Sequence, residues 1–265
     1  MLIDTHCHLD AAEFDADRAE VVAHAMQLGV GRIVVPAVAA DNFAAVRAVC
    51  AQYPVCRPAL GLHPIFAMRH QPADLAALRA EIQAARPVAI GEIGLDLFIR
   101  DVDMTQQLYY FTEQLKIAHE FDLPVLLHTR HANDEIMKQL RRFNIRRGIA
   151  HAFSGSLQQA QAFISQGFKL GFGGAMTYTR ATNLRKLAAE LPLESIVLET
   201  DAPDMSPAWA HGRRNSPEYI PQIAQVLADL RGVSLATIMQ KTTSNAQRLF
   251  SNLPGNNLVI SPDSM

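Results

Sequence analysis

The sequence predicts an α/β protein that folds as a (β/α)8 TIM barrel. Eight short apolar segments recur along its 265 residues, helical segments separate them, and 49% of the residues are hydrophobic. A repeat of roughly 20 to 36 residues is that of strands alternating with helices in such a barrel. A doubly wound open sheet is the alternative, but its first strand would lead into a Gly-rich phosphate loop. Here the first strand leads into His6-Cys7-His8 instead.

The predicted strands are rich in Val, Ile and Leu without polar alternation, as parallel strands covered on both faces are. We place them at Leu2–Asp4, Arg32–Pro36, Arg57–Leu62, Val88–Ile93, Pro124–His128, Gly148–His151, Phe168–Phe172 and Ser195–Thr200. Barrel enzymes carry their catalytic groups at the carboxyl ends of the strands, so functional residues are expected there.

The helical segments carry apolar residues at three- and four-residue spacing. They are expected at Asp17–Leu28, Asp41–Gln52, Pro72–Ala85, Met104–Phe121, Asp134–Phe143, Ser156–Gln166, Asn183–Leu191, Pro217–Arg231 and Ser234–Phe250. Asp41 is placed to serve as the N-cap of the second helix. Because no linker interrupts the alternation, we expect one barrel domain over residues 1–250 and an irregular C-terminal tail over residues 251–265.

Charge and cysteine content narrow the class of protein. Lys plus Arg number 24 and Asp plus Glu number 26, so the net charge is −2. Such a surface cannot coat nucleic acid by general attraction, although a nuclease that grips one phosphodiester is not excluded. The three cysteines lack the spacing of a disulfide framework, and a polar motif begins at residue four. We therefore expect reduced thiols, no signal peptide, no membrane span, no obligate protein partner and a cytoplasmic location.

The first predicted strand ends in a pair of histidines. His6 and His8 are two residues apart, so on an extended segment they face the same side. Such a pair is weak evidence for a metal site by itself. Further potential ligands stand at the carboxyl ends of other predicted strands: Glu92, His128, His151 and Asp201. These residues are far apart in sequence, yet in a barrel the strand ends converge on one point.

Four imidazoles and two carboxylates at one rim would be poorly satisfied without a cation. Imidazole suits zinc, and carboxylate adds tolerance for manganese or magnesium. Six ligands exceed the four of a closed structural zinc site. The sequence therefore predicts two divalent metal ions (Zn, Mn or Mg) with one carboxylate bridging them. His63, at the end of the third strand, is expected to hydrogen-bond the substrate or a metal ligand.

Six blocks of the sequence also resemble a known family. They are Asp4–His8, Gly61–Pro64, Gly91–Asp96, Pro124–Arg130, His151–Gly155 and Glu199–Pro203. In residues and order they are similar to the TatD family of metal-dependent hydrolases, and the similarity runs from Met1 to about Phe250. The resemblance implies a TIM barrel of the amidohydrolase superfamily, a divalent metal pair and, in several members, deoxyribonuclease activity.

The resemblance also implies how the ligands are shared. One metal would be held by His6, His8, Glu92 and Asp201, and the other by Glu92, His128 and His151. Asp201 is the expected catalytic residue, since a carboxylate ligand at the last strand can also accept the proton of the attacking water. Arg130, Arg213 and Asn215 are candidate substrate contacts at a phosphate oxygen, with a solvated surface role as the alternative for each arginine.

The leading functional hypothesis is hydrolysis of a phosphodiester, in DNA or another substrate, by a metal-activated water. Leu97–Ile99 and Asp204 stand at rim positions where many family members carry aromatic residues, and these positions would touch the substrate. A small-molecule amidase or lactonase could use the same metal centre, and an inactive barrel could serve as a metal-binding module. The intact ligand set argues against inactivity but does not separate the two chemistries.

Overall fold

The centre of the molecule is a single sheet of eight parallel strands, each paired with the next along the chain. The structure, a computed structural model, describes residues 1–99 and 103–250. The strands are β1 Leu2–Asp4, β2 Val30–Pro36, β3 Cys56–Leu60, β4 Ala89–Asp96, β5 Val125–Arg130, β6 Gly148–Ala150, β7 Phe168–Phe172 and β8 Ile196–Leu198. This architecture confirms the predicted (β/α)8 barrel.

The segments that follow β1 and β8 hydrogen-bond to each other and complete the barrel. The Asp201 amide donates to the His6 carbonyl over 2.8 Å. The buried carboxylate of Asp4 accepts from the Thr200 hydroxyl over 2.6 Å, from the Thr200 amide over 3.0 Å and from the His6 amide over 3.2 Å. Burial raises the pKa of Asp4 to about 7. This seam places the residues after β1 beside those after β8.

Helices surround the strands and lie close to their predicted positions. They are α1 Arg18–Gln27, α2 Phe43–Gln52, α3 Pro72–Ala84, α4 Met104–Glu120, α5 Asn133–Arg142, α6 Leu157–Ser165, α7 Thr182–Glu190, α8 Ile220–Arg231 and α9 Leu235–Phe250. The predicted first turn of α8 is a separate 3-10 helix, Pro217–Tyr219. β4 continues three residues beyond its predicted end, to Asp96.

The N-cap prediction for Asp41 is wrong. Asp41 lies inside a 3-10 turn, Ala40–Asn42, that precedes α2. Asn42 occupies the N-cap position, and its amide oxygen accepts hydrogen bonds from the backbone amides of Val38 and Ala39. The helix starts later than expected because this turn first satisfies the amides of the loop.

The strands form the core, and their carboxyl ends form the polar rim. All eight residues of β4 are buried, and the strands pack against the buried faces of the helices in one hydrophobic cluster. The irregular tail expected at residues 251–265 lies outside the described residues. Within the described ranges, no helix is long and apolar enough to cross a membrane.

Candidate metal centre

The loop after β1 brings its two histidines together. Because β1 ends at Asp4, His6 and His8 lie beyond the strand rather than on it. Their Nε2 atoms are nevertheless 3.2 Å apart, and the Cys7 side chain between them is buried in the core. The alternating side-chain directions of an extended segment therefore continue past the end of the strand.

Glu92, on β4, presents its two carboxylate oxygens to different pairs of histidines. Oε2 lies 3.0 Å from Nε2 of His6 and 3.5 Å from Nε2 of His8. Oε1 lies 2.9 Å from Nδ1 of His128 and 3.2 Å from Nε2 of His63. A carboxylate flanked in this way has the placement of a bridge between two cations.

The charges around Glu92 favour a cation. Burial alone would raise the pKa of Glu92, but the facing histidines hold that pKa well below its ordinary value. Burial would lower the pKa of His8 and of His128, yet the facing carboxylates raise each to about 9. In the metal-free chain, protons on these imidazoles balance the carboxylates. A divalent ion would replace those protons.

His63 is positioned as a hydrogen-bond donor. Its Nδ1 accepts from the Ile65 backbone amide over 3.1 Å, and burial lowers the pKa of His63, which favours the neutral ring. In that ring the proton is on Nε2, which then donates towards Glu92. A protonated ring nitrogen has no lone pair for a metal. The placement corresponds to one of the two roles expected for His63, a hydrogen bond to a metal ligand.

His128, on β5, contacts a carboxylate at each ring nitrogen. Nε2 lies 3.0 Å from Oδ2 of Asp96, while Nδ1 faces Glu92. Oδ1 of Asp96 accepts from the amides of Phe98 over 2.9 Å and Ile99 over 3.2 Å, which fixes the carboxylate. Asp96 therefore holds the ring proton on Nε2 and leaves the Nδ1 lone pair for a metal.

His151, after β6, is backed by Glu199 in a similar way. Nδ1 of His151 lies 3.0 Å from Oε1 of Glu199, and Nε2 lies 3.5 Å from Oδ1 of Asp201. Oε1 of Glu199 also accepts from the Ala152 amide, at a residue whose φ is 42°. Burial opposes protonation of His151, yet these two carboxylates raise its pKa well above the ordinary value. The ring stacks on His6 with centroids 3.7 Å apart.

Asp201 lies on the side of the cluster that faces solvent. Its Oδ1 lies 3.7 Å from Nε2 of both His6 and His8. Its φ of 61° is left-handed, a conformation that residues with a side chain rarely adopt. Burial would raise the pKa of Asp201, but the facing histidines keep it below the ordinary value. Asp201 is therefore an ionised carboxylate at the mouth of the site.

The donor atoms form groups that differ from the sharing implied by the resemblance. Among the residues that the structure describes, three sets of possible ligand atoms lie within 4.8 Å of one another: His6–Glu92–His151, His6–His8–Asp201 and His63–Glu92–His128. His151 shares one of these groups with His6 and none with His128, although the His151 charge also acts on His128. Converging imidazole nitrogens and carboxylate oxygens are a donor set that fits divalent metal ions.

Arg130 lies at the edge of this cluster. Its side chain is 49% exposed, and Nη1 lies 3.9 Å from Oδ2 of Asp96. The guanidinium stacks over the ring of Phe98, 3.9 Å from the ring centre. The donors of Arg130 are therefore close to the metal centre and accessible to a substrate.

The other two expected substrate contacts are engaged within the loop after β8. Arg213 is exposed and donates to the Trp209 carbonyl. Asn215 is fully buried, and its amide donates over 2.7 Å to the carbonyls of both Thr200 and Asp204. With its donors engaged in holding the loop, Asn215 is not placed to contact substrate, which corrects the expectation from sequence.

Asp96 and Glu199 were not identified as site residues from the sequence. Asp96 is four residues after Glu92, and Glu199 is two residues before Asp201. Residues at even offsets share a face in extended backbone. The even offset from a candidate ligand was the sequence signal that could have identified both Asp96 and Glu199.

Residues 3–251 match the family model described as TatD related DNase. The chain is 44% identical over 255 residues to an uncharacterized metal-dependent hydrolase, YjjV of Escherichia coli K12, covering 95% of this chain and 98% of that protein. It is 32% identical over 259 residues to a 3′-5′ ssDNA/RNA exonuclease TatD of Erwinia tasmaniensis, covering 94% and 100% of the two chains. The crystal structure of the E. coli TatD homolog YjjV matches with a TM-score of 0.91 at 43% identity, covering 94% of this chain and 98% of that one. The chain belongs to the TatD family of metal-dependent hydrolases.

Proposed function

We propose that this chain hydrolyses phosphodiester bonds in single-stranded nucleic acid with the help of two divalent ions held at Glu92. The observation that carries the proposal is the Glu92 carboxylate, whose oxygens face separate pairs of histidines. Two bound ions would lower the pKa of a shared water and neutralise charge on a phosphoryl oxygen. A relative at 32% identity is named as a 3′-5′ ssDNA/RNA exonuclease, which supports the same substrate class.

The residues around the centre supply the remaining functions of a phosphodiesterase. Asp201, at the solvent side, accepts the proton of the attacking water. Arg130 offers exposed guanidinium donors that match a non-bridging phosphate oxygen. His63 donates to Glu92 and so holds in place the carboxylate that would bridge the ions.

The proposal is tested by incubating the manganese-loaded chain with end-labelled single-stranded oligonucleotides, lactones and N-acyl compounds. We expect hydrolysis of the oligonucleotides alone. Glu92→Gln keeps the shape of the bridge but not its charge, and should abolish the activity. Glu190→Gln makes the same change at an exposed position of α7 and should leave the rate unchanged. Intact oligonucleotides with cleaved lactones or N-acyl compounds would instead assign the chain to the amidase or lactonase class.

A further inference from the structure

Two large apolar side chains are exposed at the rim beside the candidate metal centre. Leu97 is 44% exposed and Phe98 is 54% exposed, and both directly follow β4. Their backbone is fixed, because Oδ1 of Asp96 accepts from the amides of Phe98 and Ile99. Exposed apolar surface that is rimmed by polar groups typically marks a binding site. These two side chains therefore indicate a ligand contact at the end of β4.

Phe98 belongs to a group of planar side chains from the ends of β4 and β5. The guanidinium carbon of Arg130 lies over the Phe98 ring, 3.9 Å from its centre. The His131 ring meets Phe98 edge to face, with centroids 5.4 Å apart and planes at 81°. Phe98 and Arg130 are each about half exposed. The two stacked side chains, here called the Phe98–Arg130 pair, therefore present a flat surface to solvent.

The Phe98–Arg130 pair lies within reach of one nucleotide from the proposed metal ligands. Nε2 of His128 is 3.0 Å from Oδ2 of Asp96, and that oxygen is 3.9 Å from Nη1 of Arg130. The N–H donors of a guanidinium lie in its plane, so its two faces remain free for stacking. Arg130 can therefore donate in its plane to a phosphate oxygen, while the flat surface of the pair contacts a planar group attached to the same phosphate.

We propose that the Phe98–Arg130 pair is a stacking platform for the base nearest the scissile phosphate. This assignment rests on the proposed phosphodiesterase function. Aromatic rings and guanidinium planes stack on unpaired bases. Because every base has a π-face, the platform accepts all four bases. A paired base inside a duplex has both faces covered by its neighbours, so the platform selects single strands over duplexes.

Binding to the metal-loaded full chain tests the platform separately from the proposed function. The probes are dTMP, dAMP and an abasic analogue that has the same sugar and phosphate but hydrogen in place of the base. By calorimetric titration we expect both nucleotides to bind about 5- to 150-fold more tightly than the abasic analogue, which is the usual contribution of one stacked base. Equal affinities, or no binding of any of the three, would overturn the proposal.

Cleavage of oligonucleotides distinguishes the two ways in which the proposals can fail. A preference for the nucleotides over the abasic analogue, without cleavage of any oligonucleotide, would refute the nuclease function and leave the platform standing. Cleavage of oligonucleotides by a chain that binds all three probes equally would support the nuclease function and refute the platform.

Variants of Phe98 locate the stacking. Phe98→Ala keeps the backbone amide that donates to Asp96 but removes the ring, so the affinity for dTMP should fall close to that for the abasic analogue while the metal content stays unchanged. Phe98→Trp keeps an aromatic face and should keep the preference. The matched control is Phe143→Ala, because Phe143 has Arg142 over its ring at the end of α5, away from the rim. An undiminished preference in Phe98→Ala, with folding verified by thermal unfolding, would overturn the proposal.

Discussion

Asp96→Asn changes the tautomer of a proposed metal ligand while keeping side-chain volume. Oδ1 of Asp96 accepts from the amides of Phe98 and Ile99, so the oxygen of the new amide must keep that place. Its NH2 group then faces Nε2 of His128, where Oδ2 lies 3.0 Å away in the parent chain. Two donors cannot face each other, so Nε2 must become the acceptor and the ring proton must move to Nδ1. Nδ1 then has no lone pair for a metal.

The expected loss follows from the role of such partners. Removing the group that orients a metal-bound histidine typically lowers metal affinity about 10- to 100-fold, which is about 1.4 to 2.7 kcal/mol. We expect a loss of this size at one of the two sites, measured by calorimetric titration with Mn²⁺ or Zn²⁺. Nitrogen chemical shifts of His128 in the metal-free chain, recorded above pH 9 where the ring is neutral, should show the proton on Nε2 in the parent chain and on Nδ1 in the variant.

The matched control is Asp122→Asn. Asp122 is an exposed carboxylate that pairs with Arg147 before β5, at the opposite end of the barrel. The same chemical change there should leave both metal affinities at the wild-type value. Wild-type affinity at both sites in Asp96→Asn, with the proton still on Nε2, would refute the reasoning from the His128 tautomer.

Three further outcomes are expected. Asp201→Asn should lower the single-turnover rate about 100- to 10,000-fold while at least one ion is retained, because an amide can bind a metal but cannot accept the proton of the attacking water. A near-wild-type rate in the metal-loaded variant would show that Asp201 is not the base. Elemental analysis should find two ions per chain, and His128→Ala should empty one site while His6→Ala empties the other. A maximum of one ion per chain, or equal loss of the same ion in both variants, would contradict the two-site hypothesis. Metal affinity should rise between about pH 7 and pH 9, because His8 and His128 have pKa values raised to about 9 and must lose protons before they bind a metal. A metal affinity that does not change with pH over this range would argue against both residues as ligands.

The barrel was predictable because its strands are buried on both faces. Burial on both faces requires continuous apolar segments, so the eight strands are visible in the sequence without knowledge of their neighbours. The end of β4 was not predicted, because Gly94 and Asp96 interrupt the apolar pattern there. Those two residues pair with His128 and Arg130 on β5, and this register becomes apparent only in the folded sheet.

The same limit applies to the carboxylates that support the proposed ligands. His128 and Glu92 could be found because strand ends meet at one rim, whatever the exact register. Asp96 faces Nε2 of His128, and Asn215 is buried under the loop that it holds. Both contacts depend on distances of about 3 Å between segments that are far apart in sequence. Residue type and position predict which side chains reach the rim, but not which partner each one contacts.

Exposure divides the carboxylates of the centre into two roles. Glu92 is 2% exposed, and Asp96 and Glu199 are each 1% exposed, whereas Asp201 is 16% exposed. A general base must pass its proton to solvent after each turnover, which a carboxylate enclosed among imidazoles and backbone amides cannot readily do. The three enclosed carboxylates are suited to fixing histidine rings and bridging cations. Among these four, Asp201 alone combines contact with the histidines and access to water, and this supports the proposal that Asp201, rather than Glu92, accepts the proton.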